Sequence, residues 1–231
     1  MTVFTPPRRR GIEILDNPAV DPELMRRSMR DVERANVLLG GRRAALAELS
    51  TAFRRITGTA TMLDVGTGRG DIPASAVALA REMGITLHTI GIDMSLPLME
   101  GVQNGNEHVL KGDALALPFR DKSVDIVLAS QILHHFTEDA ATALIVELNR
   151  VARSSVVISD LKRSLIAAAG LWLGSFPLRF HPVSRHDGVV SVMRGFLPSE
   201  VADLVQRATG LRPRVERRLG FRVTTSWTPR R

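Results

Sequence analysis

Residues 62–73 read MLDVGTGRGDIP. A short apolar run ends in Asp64, and glycines stand at 66, 68 and 70. Glycine reaches φ > 0 without strain and lets a backbone come close to a ligand. Placed between a strand and a helix, such a turn lies at the carboxyl end of the strand, where open α/β sheets bind ligands. The feature constrains the whole chain to a strand–turn–helix start with a ligand-binding turn.

The residues downstream agree. Thr61–Val65 reads as a buried strand, Asp71–Met83 as a helix stopped by Gly84, Ile85–Ile92 as a second strand and Leu96–Val102 as a short helix. His108–Leu110, Val124–Ala129 and Val156–Ser159 read as further strands, with a helix over Glu138–Val151. Strand–helix alternation implies a parallel sheet with helices on both faces. The ending differs. A helix opens at Pro198 and runs to about Ala208, and Arg212–Leu219 and Phe221–Ser226 are two runs split by Gly220. Runs this close pair only as an antiparallel hairpin, which makes an antiparallel edge.

Before the sheet, Asp21-Pro22-Glu23 signals a helix start, with Leu24, Val32, Ala35 and Leu39 at helical spacing up to Gly40-Gly41. A second helix spans about Arg42–Ile56, with Leu46, Leu49, Phe53 and Ile56 on one stripe. The expected organisation is a tail and helical extension over 1–58, with residues 1–11 as a mobile basic tail, and a catalytic domain over 59–231.

The turn discriminates between cofactors. A dinucleotide fingerprint, G-x-G-x-x-G from Gly66, would put its last glycine at 71, which is Asp71. A carboxylate there repels a pyrophosphate at a helix amino terminus. No P-loop Gly-Lys-Ser/Thr follows either. A cofactor with an amino-acid end, a ribose and a base but no phosphate fits better, and S-adenosylmethionine is such a molecule. The second strand ends in Gly91-Ile92-Asp93, whose acid suits ribose hydroxyls. Lys111-Gly112-Asp113-Ala114 follows the third strand, where an acid suits an adenine amine and apolar neighbours cover the ring.

These stretches resemble the class I S-adenosylmethionine-dependent methyltransferases, and within them the small-molecule branch of ubiquinone/menaquinone-biosynthesis methyltransferases. The matching residues are Leu63–Gly70, Gly91–Asp93, Gly112–Ala114 with Leu117-Pro118-Phe119, and Ser123–Val127 leading to Leu133-His134-His135-Phe136. The resemblance implies a Rossmann-like α/β fold with a seven-stranded, mostly parallel sheet. It implies S-adenosylmethionine held by Asp64, Gly66, Thr67, Gly68, Gly70, Asp93, Met94, Asp113, Ala114 and Ser130. A His after the fourth strand and an acid closing the fifth act together in related enzymes, which nominates His134, or else His135, with Asp160. Neighbours on one element point to different sides, which favours His134 and argues against a paired metal site. A lid insertion is implied over about 161–197, whose apolar stretch Leu165–Phe176 with Trp172, and the polar Arg185 and His186, would meet a hydrophobic or aromatic acceptor. The Arg-Pro-Gly-Gly that the family often places before the fifth strand is replaced here by Arg150-Val151-Ala152-Arg153.

Composition bounds the rest. No cysteine is present, which excludes disulfides, thiolate metal sites and a cysteine nucleophile. The net charge of +7 raises the question of nucleic acid. Much of the excess sits in Arg8–Arg10 and in a carboxy-terminal series that includes Arg222, and aromatic residues for base stacking are few. The expectation is a cytoplasmic enzyme of secondary metabolism. It has a small-molecule acceptor and no membrane span, nucleic acid is disfavoured, and a homodimer is compatible with the sequence. RNA methylation and a non-catalytic cofactor-binding scaffold are the rival readings.

Overall fold

The computed structural model describes residues 5–9, 11–17, 19–94 and 108–230. Seven strands form one sheet: β1 (Thr59–Val65), β2 (Thr86–Asp93), β3 (His108–Lys111), β4 (Val124–Ser130), β5 (Ala152–Leu161), β6 (Val215–Arg218) and β7 (Arg222–Trp227). Their order is β3-β2-β1-β4-β5-β7-β6. The first five are parallel, and β7 runs antiparallel to both β5 and β6. The helix expected over Leu96–Val102 lies outside the described residues.

Among the described residues, seven α-helices accompany the sheet: α1 (Pro22–Leu38), α2 (Gly41–Phe53), α3 (Asp71–Glu82), α4 (Glu138–Val151), α5 (Leu165–Gly174), α6 (Pro182–Arg194) and α7 (Pro198–Thr209). Successive side chains of a strand face opposite ways, so β1 splits its apolar residues between two cores. Leu63 and Val65 pack with Leu144 and Leu148 of α4 and Val201 and Leu204 of α7. Ala60 and Met62 pack with Leu49 and Phe53 of α2 and Ala76 and Ala80 of α3.

Two elements differ from the sequence reading. β5 begins four residues early, directly after α4, with no connecting loop. Its polar start, Ala152-Arg153-Ser154-Ser155, has no apolar pattern to reveal it. Arg153 holds it there by ion pairing with Asp125 at 2.6 Å and donating to the carbonyls of Lys122 and Ser123. In α1 the buried residues are Met25, Ser28, Asp31 and Asn36, whereas Val32 and Leu39 are exposed. The helix turns its polar side inward because that side meets polar partners. Asp31 accepts the backbone N–H of His181 at 2.8 Å, and Asn36 bonds Gln131.

The antiparallel edge is latched to the extension by one acid. Glu48 of α2, 6% exposed, accepts from Thr224 Oγ1 at 2.8 Å, Ser226 Oγ at 2.7 Å and Arg218 at 3.0 Å. Glu48→Ala strands three donors, and losses of that kind cost about 2–4 kcal/mol in sum. Thermal unfolding should show a Tm lower by roughly 5–15 °C for a chain of this size. A shift under about 2 °C, the scale of an ordinary surface change, would show that the hairpin is held by packing alone.

Candidate active site

The carboxyl ends of β1, β2 and β4 open into a cleft of about 1030 Å³, closed over by α1, α5, α6 and the strap of residues 11–17. The three glycines of the turn after β1 all have positive φ: 73° at Gly66, 50° at Gly68 and 73° at Gly70. A Cβ at Gly68 would meet nothing within 4 Å. It is the left-handed backbone that calls for glycine there, and it leaves open space in front of the turn. The turn is pinned to β2, with Gly66 N–H donating to the Ile92 carbonyl at 2.8 Å and Gly68 N–H to Asp93 Oδ2 at 2.9 Å.

The cofactor residues expected from the sequence gather at this end. Asp64, Gly66, Thr67, Gly68, Asp93, Met94, Asp113, Ala114 and Ser130 all line the cleft. Gly70 does not; it sits behind the turn as the residue preceding α3. Asp113 Oδ1 accepts the Leu115 N–H at 2.9 Å, so it also holds its own turn. Ser130 Oγ is buried without a hydrogen-bond partner.

The donor set fits a cationic cofactor. Asp64, Asp71, Asp93 and Asp113 line one half of the cleft, which repels phosphate. Asp64 is fully buried, and burial first, then Asp71 and Asp93 nearby, push its carboxyl up to about 7 against the pull of Thr67. A carboxyl so destabilised as an anion gains by meeting an ammonium group.

Beyond β4, Gln131 takes φ 56° and leads into a 3-10 turn at Leu133–His135. His134 is 3% exposed and lines the cleft. Its Nδ1 lies 2.7 Å from Asp160 Oδ1, and its backbone N–H donates to Asp160 Oδ2 at 3.3 Å. Asp160 is fully enclosed at the end of β5. Burial alone would raise its carboxyl, but His134 and the Leu161 N–H outweigh this and hold it below the usual range. With the carboxylate accepting from Nδ1–H, Nε2 of His134 is left as the basic nitrogen.

His135 does not turn away, contrary to the sequence reading. The two imidazole centroids are 4.3 Å apart, because separate acids draw the rings from a common turn. His135 Nδ1 is 3.3 Å from Asp16 of the strap. Ligand atoms of Glu13, His134 and His135 lie within 4.8 Å of one another, a spacing a metal could use. The Arg194 guanidinium already stands there, 2.9 Å from Glu13 and from Asp16 and 3.4 Å from His135 Nδ1.

The proposed acceptor residues need correction. Trp172 is 48% exposed and packs edge-on against Phe176, Arg185 lies over the Phe176 ring, and His186 pairs with Asp187 at the surface. None of the three lines the cleft. The face of α5 turned inward carries Ile166, Ala167, Gly170 and Leu171 instead. In a helix apolar nearly all round, periodicity cannot say which face turns in.

The described part of the tail is docked rather than mobile. Arg8 donates to the carbonyls of Arg194, His134 and Phe136 and stacks on Phe196 at 3.8 Å. Asp187 accepts the N–H groups of Ile14 and Leu15, both at 2.9 Å. No periodic signal marks such a strap; only its acids, Glu13 and Asp16, hint at basic partners.

A family model described as "Methyltransferase domain" matches residues 63–158. This chain carries a class I S-adenosylmethionine-dependent methyltransferase domain. A demethylmenaquinone methyltransferase of Roseiflexus castenholzii is 36% identical over 104 residues, which are 43% of this chain and 41% of that protein. The chain thus spans under half the length of that curated relative. A probable tRNA methyltransferase 9B of Mus musculus is 38% identical over 66 residues, 28% of this chain and 15% of its own. The solved structure of a mitomycin 7-O-methyltransferase superposes with a TM-score of 0.63 at 18% identity, over 94% of this chain and 61% of that one. It shares the fold. Among the described residues of this methyltransferase domain and its extensions, no helix is long and apolar enough to cross a membrane.

Two pH dependences follow. Asp64 is neutral below about pH 7 and charged above it, so affinity for a cofactor with an ammonium group should rise between pH 6 and 8, by up to about tenfold per unit. Calorimetric titration of S-adenosylhomocysteine checks this, and Asp64→Asn should flatten the profile. For His135, desolvation lowers the ring's affinity for a proton, but Asp16, Glu13 and Asp160 outweigh it and raise the pKa above 6.5. The stability this gives is complete below 6.5 and is lost as pH rises through the raised value. The Tm deficit of His135→Gln relative to wild type should therefore be larger at pH 6 than at pH 9.

Proposed function

We propose that the protein methylates an oxygen of a small, largely apolar or aromatic acceptor, with S-adenosylmethionine as donor. Bound in the acidic half of the cleft against Asp64, Asp93, Asp113 and Ser130, the cofactor supplies an activated methyl group on a sulfonium. The observation that carries the reading is the His134–Asp160 pair in the cleft wall. A hydroxyl acceptor must give up its proton, and a buried imidazole with Nδ1 fixed by a carboxylate presents Nε2 for that task. Asp160 orients the ring and fixes its tautomer. Met25, Met29, Ile166, Leu171, Phe180 and Val192 line the remaining wall and suit an apolar body. The names of the demethylmenaquinone and mitomycin methyltransferases point the same way, to small-molecule acceptors.

The rival with an observation behind it is RNA, through the match to the tRNA methyltransferase and the charge of +7. That match spans 66 residues, 28% of this chain. Turnover of labelled cofactor against phenols, quinols and polyketides, with bulk tRNA as the competing substrate, separates the two.

On an acceptor that turns over, His134→Ala should lower kcat by about 10²–10⁴, the usual range for general-base catalysis, while S-adenosylhomocysteine binding stays near wild type. Asp160→Asn should slow the reaction too, since an amide favours the wrong imidazole tautomer. Near-normal turnover by a folded His134→Ala protein would remove the base from the mechanism.

A further inference from the structure

Three arginines are buried among the described residues: Arg163, Arg194 and Arg222. Two have carboxylates. Arg163 holds Glu200 through two bonds of 2.6 Å, and Arg194 holds Glu13 and Asp16, both at 2.9 Å. Arg222 has none. It is 4% exposed and lines the cleft. Its Nη1 donates to the neutral Gln131 amide at 2.7 Å, and its Nε is buried with no hydrogen-bond partner. The acid that acts on it is Asp160, which is already committed to His134 and to the Leu161 N–H. A buried cation without a counter-ion is costly, and proteins rarely leave one so.

The surroundings add positive potential. The chain starts α2 beside this guanidinium: a Cβ on Gly41 would lie 3.1 Å from Nη2 and 2.9 Å from Asn36 Oδ1. No side chain caps that helix start, and its first turn holds no acid but reads Gly41-Arg42-Arg43. An uncapped helix amino terminus carries partial positive charge and favours anions. Burial pushes the guanidinium pKa down to about 10, a measure of how poorly the fold solvates this cation. Arg222 pairs with Leu161, one residue beyond Asp160 on β5, so it stands at the ligand-binding end of the sheet.

We infer that Arg222, backed by the start of α2, is an anion anchor of the cleft and that the acceptor carries a carboxylate, or an oxygen of like acidity, which it binds. This rests on the methyltransferase reading and deepens it. The acceptor then has an apolar body, a hydroxyl for His134 and an acidic group for Arg222. The acidic half of the cleft serves the cofactor and repels such a group, so Arg222 also sets the acceptor's orientation.

The probes are 2-naphthoate and its neutral partner 2-naphthamide, titrated calorimetrically into the full chain saturated with S-adenosylhomocysteine. Wild type should bind the carboxylate about tenfold or more tightly than the amide, the lower end for hydrogen bonds to a charged group. Arg222→Gln should erase the difference, Arg222→Lys should keep part of it, and affinity for S-adenosylhomocysteine should be the same in all three. A carboxylate bound no better than the amide by wild type, or not at all, overturns the inference; that comparison needs no variant to fold. A preference that survives in Arg222→Gln overturns it as well. Loss of S-adenosylhomocysteine binding in the wild type, with naphthoate preference intact, would instead count against the methyltransferase reading.

Discussion

The buried carboxylate of Asp160 is the interaction on which the rest of the site depends. An ion with 1% of its surface exposed survives only if its lone pairs are satisfied. The partners it collects come from three parts of the chain. The His134 imidazole and backbone N–H come from the turn after β4, the Leu161 N–H from β5 itself, and the attraction of Arg222 from β7. The carboxylate thereby ties the turn that bears His134 to the join of the parallel sheet and its antiparallel edge. This explains why an edge hairpin remote in sequence belongs to the site. β7 delivers Arg222 beside β5, and the turn at Gly220 packs so closely on the Leu39 carbonyl that only a residue without a Cβ fits.

The amino-terminal strap solves the complementary problem of the second histidine. His135 is the more accessible of the two rings, and Glu13, Asp16 and Arg194 surround it with alternating charge. Asp16 is held down to about 2 by His135 and Arg194 despite the opposing effect of burial, so the strap stays anionic where it meets the ring. Arg8 satisfies the carbonyls of His134 and Phe136 from the outer side. The two histidines of one dipeptide thus have separate acids. Asp160 comes from the sheet and Asp16 from a strap more than a hundred residues away in sequence.

The extent to which this was legible in the sequence follows from the range of each interaction. The glycine turn, the acids ending β1 and β2 and the helix over Glu138–Val151 are local patterns, and local patterns are readable. The His134–Asp160 pair was readable only through family resemblance, since nothing in the spacing of residues 26 apart requires contact. Arg222 was not readable. In one dimension it is one arginine of a basic carboxy-terminal series, and only the strand order puts it in the cleft. Trp172 failed for the opposite reason. Its large apolar ring suggested a pocket wall, but α5 is apolar on every side, and which side turns inward is decided by α6 packing against it.

The cleft that results is electrically divided. Asp64, Asp93 and Asp113 stand at or just past the ends of β1, β2 and β3, and Asp71 at the start of α3, on one side of the point where the strand order reverses. His134, Gln131 and Arg222 stand on the other. In a site of low dielectric such a division sorts ligands by charge before any close contact is made. A sulfonium donor with an ammonium group is favoured on the acid side, and an acceptor with an acidic oxygen is favoured on the arginine side. Each is disfavoured in the other's place. In the proposed reaction the sulfonium charge would be lost from the acid side while the hydroxyl's proton passes to His134, so the spent cofactor would be held less tightly by the acid half than the donor was. The arrangement that orders binding therefore also favours release, and it does so with residues drawn from both ends of a sheet that the glycine turn alone would not have brought together.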